Sequence, residues 1–160
     1  MLFRSPAPII LPATKFHVQL LAPHMREADK REVWAAGHRR PFEALMYSLE
    51  SSPRLAWTAV AGNDVLAMWG VGTAGHSAGQ GSPWLLGSVR LYTPRYRREL
   101  ARRSKVFVKE MARQFELLVN YVDARNHESV RWIAWCGFTV FPTEPYGPDG
   151  VLFHRFEMRR

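Results

Sequence analysis

The sequence predicts a mixed α+β domain in which a twisted, mostly antiparallel sheet carries helices on both faces. The first observation is the order strand, long helix, strand, short helix, strand over residues 86–138, which joins two parallel strands through a helical crossover. The second is residues 57–71, where two strand-like runs flank Gly-Asn-Asp and indicate a hairpin. The third is a pair of helical patterns ahead of that hairpin. We expect a single domain over residues 1–160.

Ahead of the hairpin, the sequence predicts an arm, a strand and two helices. Residues 1–14 contain three prolines and are expected to form an N-terminal arm or edge extension. Residues 17–21 have the composition of a first strand. Helices are predicted over residues 24–36 and 41–49, the second with Pro41 in its first turn, where the missing N–H has no helical partner to lose.

A glycine-rich loop and two strands of the parallel pair follow the hairpin. Residues 72–83 contain four glycines and are predicted to form a long loop. A strand is predicted over residues 87–92, because the Thr-Pro that follows cannot continue a ladder. The short apolar run at residues 117–122 indicates a buried strand. We expect the strands around Val89 and Val119 to pair in parallel.

The last part of the chain is predicted to be a short helix, a turn-rich segment and a strand. Asn126 should begin the helix and Gly137 should end it, because glycine adopts a positive φ at low cost. Residues 141–150 hold three prolines and two glycines and are predicted to form turns. Residues 151–158 have the composition of a closing strand.

The predicted long helix, from Arg95 onward, separates an apolar face from a basic face. Its apolar residues recur at steps of three or four from Tyr96 to Phe115 and include Leu100, so this face should pack on the core. The basic face carries Arg95, Arg98, Arg102, Lys105, Lys109 and Arg113.

The positive charge of the protein is concentrated on this helix. The formal net charge is +8, and residues 90–113 hold nine basic and two acidic residues. This excess predicts an acidic partner, either an acidic protein surface or nucleic acid phosphates. Aromatic residues do not alternate with the cations, so a nucleic-acid contact would be to phosphates and without sequence preference.

Metal, hydrolase and disulfide chemistry find no support in the sequence. The six histidines have neither the spacing nor the cysteine partners of a metal site, and no Gly-x-Ser-x-Gly is present. The single cysteine, Cys136, excludes an intrachain disulfide and is interpreted as a small buried hydrophobe. No membrane insertion is expected, because the apolar run at residues 9–11 is too short to span a bilayer or to direct secretion.

Two motifs resemble those of the GCN5-related N-acetyltransferase (GNAT) family. Asn126, Ser129 and the Gly-Phe pair at residues 137–138 are similar to its closing motif, and Pro-Arg-Tyr-Arg at residues 94–97 resembles the lead into its pyrophosphate loop. The resemblance implies the GNAT fold. It also implies a degenerate member, because two positions of the loop that are glycine in the family hold larger side chains, at Leu100 and Arg102.

The resemblance leaves the catalytic residues open. The family's general-acid tyrosine corresponds to Ile133, which has no proton to donate. We therefore assign no catalytic residue, and the candidates in case of an enzyme are Tyr121 and Tyr146 as acids and Glu43 as a base acting through water.

A narrower resemblance, to small GNAT-like proteins that short-tailed phages encode near their internal virion proteins, rests on the Asp-x-Arg-Asn at residues 123–126 and the Trp-x-Gly-Phe at residues 135–138. It implies a bacteriophage protein of the virion or of its assembly, located in the host cytoplasm or the virion and not secreted. The function expected first is a non-catalytic one, in which the basic helix binds a partner such as another virion protein. Non-specific nucleic-acid binding is an alternative.

The other alternative is an acetyl-CoA-dependent N-acetyltransferase, and whether the protein is an enzyme stays open here. We expect no cofactor unless this alternative holds. In that case the resemblance implies that backbone groups around Val89 and Leu91 contact the pantetheine, that the region from Arg97 to Arg102 faces the pyrophosphate, and that Asn126 orients the cofactor. The implied cofactor-binding residues are Val89, Leu91, Arg97, Arg98, Ala101, Arg102 and Asn126.

Overall fold

The computed structural model describes residues 5–160 as a seven-stranded sheet with five helices. The strands are β1 (Ile9–Pro12), β2 (Ala56–Ala61), β3 (Asp64–Gly72), β4 (Gln80–Gly87), β5 (Leu117–Asp123), β6 (Thr139–Tyr146) and β7 (Val151–Arg159). The helices are α1 (Lys15–Leu21), α2 (Glu27–Gly37), α3 (Pro41–Glu50), α4 (Pro94–Gln114) and α5 (His127–Trp135).

The sheet has the order β1-β2-β3-β4-β5-β7-β6, and its neighbouring strands are antiparallel except for β4 and β5. One apolar core, with Met111, Phe115 and Ile133, lies under α4 and α5. The other, with Leu21 and Leu45, lies under α1 and α3. The predicted α+β architecture, with helices on both faces of a mostly antiparallel sheet, is therefore confirmed.

The prediction of a strand at residues 17–21 was wrong, because this segment belongs to helix α1. The Thr14 hydroxyl accepts a hydrogen bond from the His17 N–H at 3.3 Å, and the His17 ring accepts one from the Thr14 N–H at 3.1 Å, which together cap the helix. The first strand is instead β1, within the segment predicted to be an arm. It forms one edge of the sheet. Residues 1–4 of that segment lie outside the described residues.

The strand predicted over residues 87–92 was also misplaced. Strand β4 begins inside the stretch predicted as a loop and ends at Gly87, and Val89–Tyr92 forms a 3₁₀ turn. The Ser88 hydroxyl accepts a hydrogen bond from the Arg90 N–H at 3.1 Å, which favours this turn over a strand. The parallel pair of strands exists, but β4 contributes residues 80–81 to it rather than the region around Val89.

Residues 141–150, predicted to be turns, mostly belong to strand β6. The strand holds two of the three prolines of this segment and lies at the far edge of the sheet, where a missing N–H does not break a ladder. Its register shifts between Val140 and Thr143. The other predicted elements, namely α2, α3, the hairpin of β2 and β3, α4, β5, α5 and β7, are confirmed with bounds that differ by a few residues.

Helix α4 has the two faces that its periodicity predicts. Tyr96, Met111 and Phe115 are buried, and Leu100 is partly buried against the same core, which confirms that Leu100 faces inward. Although α4 has 21 residues, it is too polar to be a span. Within residues 5–160, no helix combines the length and the apolar character needed to cross a membrane.

Gly70 of β3 provides a test of the central packing. A Cβ atom there would lie 2.4 Å from the Leu55 carbonyl oxygen, which is backbone and cannot swing away. We expect Gly70→Ala to lower the free energy of unfolding by about 1–3 kcal/mol in urea titrations. Gly72→Ala is the matched control in the same strand, since its Cβ would meet nothing closer than 3.6 Å. Equal losses in both variants would contradict this account.

Candidate functional site

The central feature of the sheet is a split between β4 and β5. The two strands pair only where Gln80 and Gly81 face Leu117 and Leu118, and they diverge beyond that point. A cavity of about 810 Å³ is lined by residues of both strands along the split. Helices α4 and α5 contribute to its wall, as do α2 and α3. The cavity therefore borders elements from both faces of the sheet.

Alternate residues of β4 point their backbone groups into this split. The Gly87 N–H donates to Asp29 Oδ2 at 2.8 Å, and the Pro83 carbonyl accepts from Asn120 Nδ2 at 2.9 Å, so both residues point away from β3. Because hydrogen bonding alternates along a strand, Leu85 between them also points its N–H and C=O into the split. Within residues 5–160, neither group of Leu85 has a backbone partner outside the ladder with β3, and β5 does not pair with it.

A buried polar cluster joins the start of α2 to the start of α5. The Arg26 guanidinium, 7% exposed, donates to both oxygens of Asp29, at 2.9 and 3.1 Å, and to Glu128 Oε2 at 3.2 Å. Asn126 donates to Asp29 Oδ1 at 3.2 Å. Asn126 does precede α5 as predicted, but its side chain does not cap that helix. It links two elements that are distant in sequence.

Glu32 of α2 extends from this cluster into the cavity. Its Oε1 accepts hydrogen bonds from the Asp123 N–H at 2.9 Å and from Asn126 Nδ2 at 3.4 Å. Burial, and then the nearby carboxylate of Asp29, raise the pKa of Glu32 to about 8. Near neutral pH this group can therefore either hold a proton or release one, which is the property that a general base requires.

Aromatic side chains line the same cavity as Glu32. The rings of Tyr121 and Tyr146 stack with centroids 4.1 Å apart, and Tyr146 also contacts Phe153 at 5.0 Å. Burial raises the pKa of Tyr146, so its hydroxyl keeps its proton near neutral pH. We call this part of the cavity the aromatic chamber, lined by Glu32, Val33, Ala36, Tyr121, Tyr146 and Phe153.

The turn between β6 and β7 fixes the position of Tyr146 at the end of α2. A Cβ on Gly147 would lie 2.1 Å from the Ala35 carbonyl oxygen, so only glycine allows this approach. His38 ends α2 in the left-handed conformation, with φ of 54°, and its Nε2 lies 2.8 Å from Asp149 Oδ2 in the turn. These contacts hold the turn against the helix that carries Glu32.

The structure distributes the candidate catalytic residues unevenly. Tyr121 and Tyr146 both line the aromatic chamber, whereas Glu43 is exposed on α3 and does not line the cavity. Ile133, at the position of the family's tyrosine, is buried and lines the cavity. Glu32 is not among the residues predicted from the sequence. Its signal was two acidic residues, at positions 29 and 32, on one face of a predicted helix.

Only some of the implied cofactor-binding residues lie where a ligand in the cavity could reach them. Val89 and Leu91 lie in the 3₁₀ turn rather than in a strand, so they form no strand edge for a ligand, and Leu85 offers such backbone groups instead. Arg97, Arg98 and Ala101 line the cavity. Arg102 does not, and pairs with Glu99 at 2.9 Å. Because α4 begins at Pro94, the whole stretch from Arg97 to Arg102 is helical, and the Arg97 N–H already donates to Thr93.

The basic face of α4 is solvent-exposed but partly paired with other groups. Arg113 lies 3.3 Å from Glu110, and the Lys105 ammonium lies 4.3 Å from the centre of the Trp135 ring. Arg95 donates to the backbone carbonyl of Ser5. Binding of an acidic partner to this face stays a prediction. In the part of the chain that the structure describes, no group of three His, Cys, Asp or Glu side chains is arranged to hold a metal ion.

Comparison with solved structures identifies the fold. Ard1 from Thermoplasma volcanium superimposes with a TM-score of 0.69 at 14% identity, covering 96% of this chain and 97% of that one. A putative acetyltransferase from Salmonella typhimurium, solved with its cofactor acetyl-CoA, gives 0.64 at 13% identity over 96% and 94%. Spermidine N-acetyltransferase from Vibrio cholerae, in complex with CoA and spermine, gives 0.65 at 10% identity over 95% of each chain.

Comparisons at the level of sequence find no counterpart. No family model matches the chain, and no curated protein matches it. The similarity is therefore one of architecture, including the seven-stranded sheet with its single parallel pair. The protein has the fold of the GNAT acetyltransferases.

Proposed function

We propose that the protein is an acetyl-CoA-dependent N-acetyltransferase. The observation that carries this proposal is the open split between β4 and β5, with its cavity of about 810 Å³ and the unpaired backbone of Leu85. Unpaired backbone groups and empty volume both lower stability. A protein that used this fold only as a scaffold would gain stability by closing the split.

The residues of the split fit an acyl-CoA in part. The N–H and C=O of Leu85 would pair with an amide of the pantetheine arm, as an added strand does at a sheet edge. Arg97 and Arg98 line the cavity at the start of α4 and would hold the phosphates with their side chains. Acetyl-CoA, when bound, supplies an acetyl group activated as a thioester. Because residues Arg97 to Arg102 are helical, a glycine-rich backbone loop does not contribute to phosphate binding.

The solved structures with acetyl-CoA and with CoA and spermine support the transferase over the non-catalytic reading. A phage or virion role draws no support from the fold, and it stays a prediction from the sequence resemblance. Non-specific nucleic-acid binding also stays a prediction from the sequence. Several cations of α4 are already paired within the protein, such as Arg102 with Glu99 and Arg113 with Glu110.

Calorimetric titration of acetyl-CoA into the purified protein tests the proposal. We expect micromolar affinity that persists at moderate salt, and a loss of about five- to tenfold in Arg98→Ala, because a charge-assisted phosphate contact is removed. Arg131→Ala is the matched control, since Arg131 is exposed on α5 and does not line the cavity. ATP serves as a polyanion without a pantetheine arm.

Two outcomes would overturn the transferase. One is no detectable binding of acetyl-CoA. The other is a weak signal that ATP reproduces and that moderate salt abolishes, as screening does for a non-specific polyanion.

A further inference from the structure

Glu32 differs from the other carboxylates of its neighbourhood in lacking a cationic partner. Asp29 pairs with Arg26 at 2.9 Å, and Asp123 pairs with Arg125 at 2.7 Å. The groups that donate to Glu32 are a backbone N–H and an amide, which are both neutral. Within residues 5–160, no basic side chain forms an ion pair with Glu32.

Glu32 is half-buried, and a carboxylate removed from water without a cation costs free energy unless something outside the chain compensates it. Glu32 lines the aromatic chamber, so a ligand in the chamber can reach it. The only other carboxylate that lines the cavity in the described residues is Glu128, which two arginines engage, Arg26 and Arg97, each at 3.2 Å. Among the described residues, Glu32 is therefore the one carboxyl group of the cavity without a cationic partner, and it becomes a free negative charge once its proton is lost.

The other residues of the chamber are apolar or aromatic, and Arg39, which lies over the Tyr47 ring, lines the cavity beside Tyr146. Tyr121 and Tyr146 stack in parallel with an interplanar angle of 13°, and Phe153 is fully buried beside them. Aromatic walls favour a flat or apolar body and attract a cation near their faces. They offer no second anion to a ligand that carries several positive charges.

We propose that Glu32 binds the ammonium group of the acceptor and takes its proton, and that the acceptor is a monoamine with an apolar or aromatic body. This inference rests on the proposed transferase function. One proton moves from the ammonium nitrogen to a carboxylate oxygen, so that the ion pair becomes a neutral amine and a carboxylic acid. The lone pair that acyl transfer requires is then free on the nitrogen.

Binding of such an amine should be linked to the proton of Glu32. The charged groups that act on it are Asp29 and Asp123. The other titratable or charged groups that line the same cavity are Arg26, Arg39, Tyr47, His76, Arg97, Arg98, Tyr121, Glu128 and Tyr146. With a pKa of about 8, Glu32 is mostly protonated at neutral pH. It must lose that proton to pair with an ammonium. Affinity should therefore rise about tenfold per pH unit below pH 8 and level off above it.

The test is calorimetric titration of 2-phenylethylamine into the protein without acetyl-CoA, from about pH 6 to about pH 9. We expect binding that follows this pH dependence, and a loss of about tenfold or more in Glu32→Gln at pH 8, because an ion pair becomes a neutral contact. Glu27→Gln is the matched control on the same helix, where Glu27 is exposed and pairs with Lys30. The comparison ligands are 2-phenylethanol, which lacks the charge, and spermidine, which carries several charges.

The inference is overturned if Glu32→Gln binds 2-phenylethylamine as tightly as the parent protein, or if spermidine or 2-phenylethanol binds more tightly than the monoamine. These results are separate from those of acetyl-CoA titration. Loss of acetyl-CoA binding with a Glu32-dependent amine site would refute the transferase and keep the amine site. Acetyl-CoA binding without a Glu32-dependent amine site would keep the transferase and refute the amine site.

Discussion

Glu32→Gln is expected to make the fold more stable at alkaline pH while it impairs amine binding. In the unfolded chain Glu32 ionises with its ordinary pKa of 4.5, and in the fold with a pKa of about 8. Between these values the folded state holds the extra proton, so the free energy of unfolding falls as pH rises through this interval. Glutamine has no proton to lose. The variant should therefore exceed the parent protein by up to about 5 kcal/mol at pH 8.5, since each pKa unit corresponds to about 1.4 kcal/mol.

Urea titrations of both proteins at several pH values measure this difference. At about pH 4 the two free energies of unfolding should be similar, because Glu32 is then protonated in the fold and largely so in the unfolded chain. The difference in free energy of unfolding should increase as pH rises and become constant above pH 8. Glu27→Gln, on the exposed side of α2, should show no such trend. If the difference in free energy of unfolding between the two proteins did not change with pH, the raised pKa of Glu32 would be refuted.

Arg26→Met is expected to destabilise the protein by about 3–5 kcal/mol, because it leaves the carboxylate of Asp29 buried without its cation. Asp29 is 1% exposed and receives two hydrogen bonds from the Arg26 guanidinium. Methionine fills a similar volume, so the loss reports charge and hydrogen bonding more than packing. Because Arg26 also donates to Glu128, the start of α5 should loosen as well.

The free energy of unfolding of three variants separates this effect from a general loss of charge. Arg113→Met removes an exposed ion pair and should change stability by less than about 1 kcal/mol. The double variant Arg26→Met with Asp29→Asn should recover part of the loss, since the buried negative charge is then gone. No recovery in the double variant would mean that Arg26 acts mainly through its other contacts.

The elements that the sequence predicted well are those with a long or regular pattern. Helix α4 shows its apolar period over about five turns, and the run at β5 is apolar except for Asn120 and Asp123. The seven residues of α1 are too few to show a period, so its β-like composition misled the prediction. Strand β4 was placed too late because its first residues include glycine. A Cβ on Gly81 would lie 2.3 Å from a methyl of Val71, a contact that local composition does not reveal.

The site was less predictable than the fold, because long-range contacts create its properties. Glu32 owes its pKa to burial and to carboxylates that include Asp123, which lies 91 positions further along the chain. Asn126 was singled out correctly by its motif, but the tertiary contact with Asp29 determines what its side chain does. The start of α4 at Pro94 settled which arginines reach the cavity, and spacing alone left that start uncertain.

The split between β4 and β5 also makes the sheet a pair of plates that share one edge. Strands β1 to β4 form one plate and β5, β7 and β6 the other. Along the sheet they meet through two residue pairs, the Gly79 carbonyl that accepts from Glu116 and Leu117, and the Asn120 bridge to Pro83. Rotation about that edge is then the deformation that breaks the fewest strand hydrogen bonds. A ligand arm laid between the plates would act as a shared strand, so that occupancy would stiffen the whole domain rather than one loop.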